Sequence, residues 1–162
     1  MASHTSNSFE DGELRATLPA ATAVYDVEQS DEIPTGTPHV DWAWDEPPIH
    51  FLCELKDPES RWALEDVNGI DKMRLNLSDP SYQSRLARKA WETTVYHTPS
   101  KREPRIYVVV VAIASLDGAA LDAAGQIITG ATTDLGNTIP TIVVNLARWN
   151  VRLAPRTLER AP

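Results

Sequence analysis

Asp41, Glu54 and Lys56 interrupt the two apolar runs of the stretch HVDWAWDEPPIHFLCELKDPE, residues 39–59. An unpaired charge facing a dry core is strongly disfavoured, so the three need a common explanation. Side chains alternate between faces along a β-strand. With that period, residues 49–56 place Ile49, Phe51, Cys53 and Leu55 on one face and His50, Leu52, Glu54 and Lys56 on the other. Residues 40–44 place Val40, Trp42 and Trp44 together and Asp41 opposite them. Glu46-Pro47-Pro48 turns the chain between the runs, and a hairpin would carry Asp41 to the face of Glu54 and Lys56. Two converging carboxylates repel each other unless a cation sits between them. Oxygen ligands suit Mg²⁺, which uses one or two carboxylates together with waters and substrate phosphate. Such an ion lowers the pKa of bound water and neutralises charge building on a phosphate. Lys56 at the rim could orient the attacking water or hold a phosphate oxygen.

The elements that must hold these residues follow from local signals. Ser8 is placed to cap a helix over 8–18, with Glu10, Asp11 and Glu13 complementing its dipole and Pro19 stopping it. Residues 22–27 have strand composition, 29–38 read as a loop, and Asp57-Pro58 ends the second run. Asn68-Gly69 is a turn signal. Ser78 or Asp79 caps a helix running to about His97, with Pro80 in its first turn and Tyr82, Leu86, Ala90 and Tyr96 as its apolar stripe. Arg85, Arg88 and Lys89 fall at i, i+3 and i+4 on one side of it, either as a solvated face or as contacts to phosphate. Residues 106–115 form a β-branched run suited to a strand buried on both faces, ended by Asp117-Gly118. Beyond it the sequence suggests a small-residue patch at 118–125, strands at 126–129 and 138–146, and a helical turn near the end. Residues 1–8 read as a frayed, disordered tail. Residues 9–162 read as a single domain, with a core over 9–116 and an extension over 117–162.

An acid at the start of one strand, a turn, and then a hydrophobic strand ending in Glu-x-Lys resembles the PD-(D/E)xK nuclease superfamily. Here the match is Asp41 and, further on, Glu54-Leu55-Lys56, in an element order α-β-β-β-α-β over roughly 9–116. The resemblance implies an α/β fold with a restriction-endonuclease-like mixed β-sheet flanked by helices, plus C-terminal strands. It implies Mg²⁺ or Mn²⁺ held by Asp41, Glu54 and the Leu55 carbonyl, with Lys56 assisting the nucleophilic water. A further glutamate from the first helix would be Glu13, with Glu10 behind it. The implied activity is metal-dependent hydrolysis of phosphodiester bonds in DNA, with Arg85, Arg88 and Lys89 on the nucleic-acid backbone. The sequence departs from the motif in that Pro38 lies three residues before Asp41. Asp45 is a competing acid, but it falls in the turn. The alternative is an inactive protein of this fold that acts as an adaptor or assembly component, its acidic first third serving as the binding surface. Either reading admits a homodimer or a partner protein.

Charge and composition narrow the remaining classes. The net charge of −8 argues against a general nucleic-acid coat, yet its distribution is uneven. Residues 1–60 carry 2 Lys/Arg against 13 Asp/Glu, whereas 61–105 carry 9 against 6 and 106–162 carry 4 against 4. The middle third is thus locally basic. A hydrophobic fraction of 42% supports a real core. Cys53 is the single cysteine and reads as a core thiol, which excludes an internal disulfide framework and a cysteine zinc cluster. His39 and His50 read as packed or surface groups, and Trp42, Trp44, Trp62, Trp91 and Trp149 as core or interface anchors. Phosphate-binding glycine loops, a nucleophile elbow and zinc-ligand spacing are all missing. No apolar run approaches the about 20 residues a bilayer requires, and the N-terminus lacks a secretory pattern, so a cytoplasmic location is expected.

Overall fold

Apolar side chains on both faces of residues 105–111 require cover on both sides. A computed structural model, which describes residues 3–4, 7–60, 63 and 68–161, places that cover. Its first strands are β1 (Ser3–His4), β2 (Ser8–Asp11), β3 (Leu14–Thr17) and β4 (Ala23–Asp26). The hairpin β5 (Trp42–Glu46) and β6 (Ile49–Lys56) follows, and then helices α1 (Gly69–Leu77) and α2 (Pro80–Tyr96). The rest is β7 (Arg105–Val111), α3 (Gly118–Asp134), β8 (Thr141–Val144), α4 (Leu146–Arg152) and β9 (Thr157–Arg160).

The main sheet has the order β1-β4-β5-β6-β7-β8. Its first four strands pair antiparallel, while β6, β7 and β8 run parallel, joined by helical crossovers. The protein is therefore a mixed α/β fold. Helices α1, α2 and α3 cover one face, where Leu86, Ala90, Leu121 and Ile128 pack on Ala43, Leu52, Val109 and Val111. A second sheet of order β2-β3-β9, together with α4, covers the other, where Phe9, Leu14, Leu158 and Trp149 meet Trp44, Phe51, Cys53 and Val108. The continuous valines of β7 thus divide between two cores.

Several expectations hold in detail. The strand at 49–56 is β6, the two prolines form the loop joining it to β5, and Asp79 caps α2 by accepting the Ser81 N–H at 2.9 Å. Others are corrected. The helix expected over 8–18 is the β2–β3 hairpin, in which Asp11 pairs with Leu14. Gly12, at φ +56°, supplies the positive first turn position that this two-residue loop needs. The expected frayed tail includes β1, which pairs with β4 through Ser3 and His4, while residues 1, 2, 5 and 6 lie outside the described residues, as does Trp62.

The turn signal at Asn68-Gly69 opens α1. The strand expected at 126–129 lies inside α3, whose start is capped by Asp117 accepting the Ala119 N–H. The β-branched Ile127, Ile128 and Thr129 suggested a strand, but Gly125 serves packing instead. A Cβ on Gly125 would stand 3.0 Å from the Thr141 carbonyl oxygen, so a glycine lets α3 sit close on β8. Finally, β9 returns to pair with β3, joining the end of the chain to its beginning.

Candidate active site

Antiparallel pairing of Trp42 with Cys53 and of Ala43 with Leu52 fixes which side chains share a face. His50, Leu52, Glu54 and Lys56 project toward the helices, as the alternation predicts. Asp41 stands one residue before β5, at the open end of the ladder. Its main-chain N–H donates to the Cys53 carbonyl at 3.1 Å. Its side chain then substitutes for main chain, with Oδ2 accepting the Leu55 N–H at 2.7 Å. The N–H and C=O of a strand residue project toward the same neighbour, so the Leu55 carbonyl turns to the Asp41 side rather than toward β7. Val40 departs from the expected face. It packs in the helix-side core, and its N–H donates to Thr93 Oγ1 of α2 at 3.0 Å.

Glu54 is fully buried. Its Oε1 accepts both Lys56 Nζ and Lys89 Nζ, each at 2.6 Å, so strand and helix converge on one oxygen. Oε2 is buried as well and has no hydrogen-bond partner among the described residues. A buried carboxylate oxygen left without a donor or cation is costly, and it marks a place suited to one. Tyr107, on the neighbouring strand β7 and on the same face, has a buried hydroxyl that is also unpartnered among those residues.

The electrostatics agree. Burial, reinforced by the negative charges of Glu54 and Asp11, raises the Asp41 carboxyl from its ordinary value of 3.8 to about 7, against the Leu55 N–H and Lys56. Burial alone would lower Lys56, but the charge and hydrogen bond of Glu54 outweigh it and hold the ammonium above its ordinary value. Lys56 is therefore a proton-bearing cation. Burial raises the Tyr107 hydroxyl well above its ordinary value, helped by the charges of Glu54 and Asp41.

The remaining expected residues disperse. Glu13 lies in the β2–β3 turn, because no helix forms there, and pairs with Arg160 at 3.0 Å. Arg160 in turn binds Asp57 at 2.8 Å. This turn and the end of β6 line a cavity of about 350 Å³ that includes Asp11, Glu13, Leu55 and Asp57. Glu10 is paired with Arg15 across the same hairpin. The trio on α2 does not act as one patch. Arg85 stacks on the Tyr82 ring at 5.3 Å, Arg88 reaches Glu92 at 3.3 Å, and Lys89 turns inward to Glu54. Asp45, the competing acid, sits at the other end of the hairpin. It accepts Tyr25 Oη and His50 Nδ1, both at 2.7 Å, and is bound by Arg102. His39 contacts the Val40 carbonyl, and Cys53 is a buried core thiol.

Sequence reasoning missed three neighbours of the site. Lys89 lies on Glu54 rather than on a solvated face or at a phosphate, Asp11 ends a hairpin strand rather than complementing a helix dipole, and Tyr107 brings a hydroxyl to an otherwise apolar strand. Asp11 now accepts the Trp42 indole N–H at 3.0 Å and adds to the field at Asp41. The Asp11-Gly12 pair was the signal that would have placed it in a hairpin.

A divalent ion fits the residues around Glu54. The oxygen donors are of the hard type such an ion takes, one of them has no partner among the described residues, and burial together with the charge of Glu54 raises the neighbouring Asp41 carboxyl. Among the described residues no three His, Cys, Asp or Glu side chains are grouped to hold a metal by themselves, so water, substrate or main-chain oxygen would complete the shell. No helix among those residues is long and apolar enough to cross a membrane. Compared with known families, curated proteins and solved structures, the chain matches none.

Proposed function

We propose that the chain is a metal-dependent nuclease of the PD-(D/E)xK kind, built on a restriction-endonuclease-like fold and hydrolysing phosphodiester bonds of DNA. The topology supports this: three antiparallel strands, a helical crossover and a parallel fourth strand, with Asp41 entering the second of these strands and Glu54-Leu55-Lys56 closing the third. The observation that carries the proposal is the buried Oε2 of Glu54, unpartnered among the described residues, near the elevated carboxyl of Asp41.

Asp41, Glu54 and the Leu55 carbonyl would hold Mg²⁺ or Mn²⁺. The ion, when bound, supplies an acidified water and charge neutralisation at the phosphate. Lys56, kept protonated by Glu54, donates hydrogen bonds and positive charge to a phosphate oxygen or holds the water by its oxygen; it does not accept the proton. Hydrolysis joins the water oxygen to phosphorus and breaks one P–O ester bond. The water's proton passes to solvent and the leaving oxygen is reprotonated.

The second reading, an inactive adaptor of the same fold, is favoured by one fact. The two lysines on Glu54 Oε1 already supply positive charge to the carboxylate without a metal. Cleavage of supercoiled plasmid and of single- and double-stranded oligonucleotides with Mg²⁺ or Mn²⁺ separates the two. The nuclease reading expects chelator-sensitive cleavage that falls at least 100-fold in Glu54→Ala and in Lys56→Ala, on the order of the loss when one charge-stabilising group is removed. Wild type that cuts none of these substrates with either ion leaves the adaptor reading.

A further inference from the structure

Glu54 is held asymmetrically, and the asymmetry carries a second conclusion that rests on the nuclease reading. Both ammonium groups crowd one oxygen at 2.6 Å, while the other oxygen has no partner among the described residues. The two lysines differ in what they can do. Lys56 stands two residues from Glu54 on the same strand face, so the backbone keeps it there. Lys89 reaches across from the separate element α2 on a four-carbon stem. Both lysine side chains are similarly exposed, 28% for Lys56 and 29% for Lys89, although the carboxylate they hold is fully buried, so the difference between them is the element each is anchored on. The charge of Lys89 can therefore leave Glu54 for solvent without passing through the core. A divalent cation placed on Glu54 and Asp41 would stand close to two ammonium groups, and like charges at that range repel strongly in a buried setting.

We infer that Lys89 is an exchangeable counter-ion. It occupies the cation's electrostatic place on Glu54 in the metal-free protein, and it is displaced toward the substrate phosphate when the ion binds. In the metal-free state it limits the cost of a buried carboxylate. In the loaded state the same ammonium lies at the mouth of the site, where phosphate would replace Glu54 as its partner. Lys89 is thus a positioning residue acting through Glu54, and it ties metal uptake to substrate binding.

Calorimetric titration of Mn²⁺ into the full chain tests this with Lys89→Met and Lys89→Arg. A purely structural lysine predicts weaker metal binding when it is lost, because Glu54 would be less well held. The exchange predicts the opposite: at least fivefold tighter Mn²⁺ binding by Lys89→Met, with Lys89→Arg within about twofold of wild type, since the competing charge is retained. Lys89→Met should also bind a double-stranded oligonucleotide more weakly in the presence of Ca²⁺. Equal or weaker Mn²⁺ binding by Lys89→Met overturns the inference while the nuclease reading stands. Absence of Mn²⁺ binding in wild type and both variants overturns both.

Should Lys89→Met not fold, the lysine side-chain NMR signals of wild type decide. Saturating Mg²⁺ should move the Lys89 signal toward that of a solvent-exposed lysine. A Lys89 signal that stays in place under those conditions overturns the inference.

Discussion

At the scale of single residues, the informative groups are polar atoms placed where water does not reach. Glu54 Oε2 and Tyr107 Oη are both buried and unpartnered among the described residues, and both face the helix side of the sheet. The Tyr107 hydroxyl gives up its hydration without a bond from the described residues in return, which costs about 1–3 kcal/mol for a group of this type. Tyr107→Phe keeps the ring and deletes the cost. Urea unfolding of the metal-free variant should show stability unchanged or raised by about 1 kcal/mol. A loss of that size would mean the hydroxyl is bonded in the free protein. Asp41 differs, because its side chain stands in for a missing strand carbonyl and takes the Leu55 N–H. In the proposed site it would be at once a structural cap and a metal-binding acid.

At the scale of elements, the β5–β6 hairpin carries a titrating cluster at each end, and the two respond to acid with opposite sign. Asp41 rises from 3.8 to about 7, so the folded protein holds a proton that the unfolded chain releases; its contribution is favourable at low pH and is lost as pH rises through about 7. At the other end, buried His50 donates or accepts at Asp45 and Ser100, and Ser100 Oγ also contacts His97 Nδ1 at 2.6 Å. This chain ties the hairpin to the end of α2. Burial lowers both histidines, His97 from 6.5 to about 4, so their contribution is present near neutrality and is lost as pH falls through that interval. Glu32 and Asp45 oppose the shift at His97 without reversing it. The two trends offset each other in wild type. Asp41→Asn removes only the first, so its unfolding free energy from urea titration should fall between pH 7 and pH 4 by more than that of wild type does, a difference of up to roughly 3 kcal/mol. Parallel profiles for the two proteins would contradict the assignment.

The same hairpin was the most legible element in the sequence, because period-two alternation, a Pro-Pro loop and Asp57-Pro58 all agree. The α2 cap was legible for the same reason, with Asp79 and Pro80 in adjacent helix-start positions. Elements failed where local composition and long-range packing disagree. Acids in the first turn and Ser8 mimic a helix start at 8–18, yet Phe9, Leu14 and Ala16 are needed as one face of a small sheet over Trp42 and Trp44. In α3, glycine and β-branched residues imitate a turn and strand, while the helix is fixed by its contact with β8. The face shared by Glu54 and Lys56 could be read from spacing alone, whereas the place of Asp41 depends on the hairpin register, which sets its carboxylate on the Leu55 N–H. Lys89 and Tyr107 could not be read that way, because only the packing of α2 and β7 on that face brings them to it.

At the scale of the molecule, the main sheet lies between helices and a smaller sheet, and ion pairs lock the smaller one in place. Arg156 binds Glu46 at 2.6 Å and stacks on Phe51 at 4.8 Å, while Arg160 joins the Glu13 turn to Asp57 just beyond Lys56. The end of β6 is therefore held from both layers, by the small sheet on one face and α2 on the other. Such support would keep the carboxylates of the proposed cation site in register. The direct test is an anomalous-scattering map from crystals soaked in Mn²⁺. The account predicts a single strong peak within bonding distance of Glu54 Oε2 and the Asp41 carboxylate, absent in Glu54→Gln. A map with no peak there, or with manganese bound only at other acids, would contradict it.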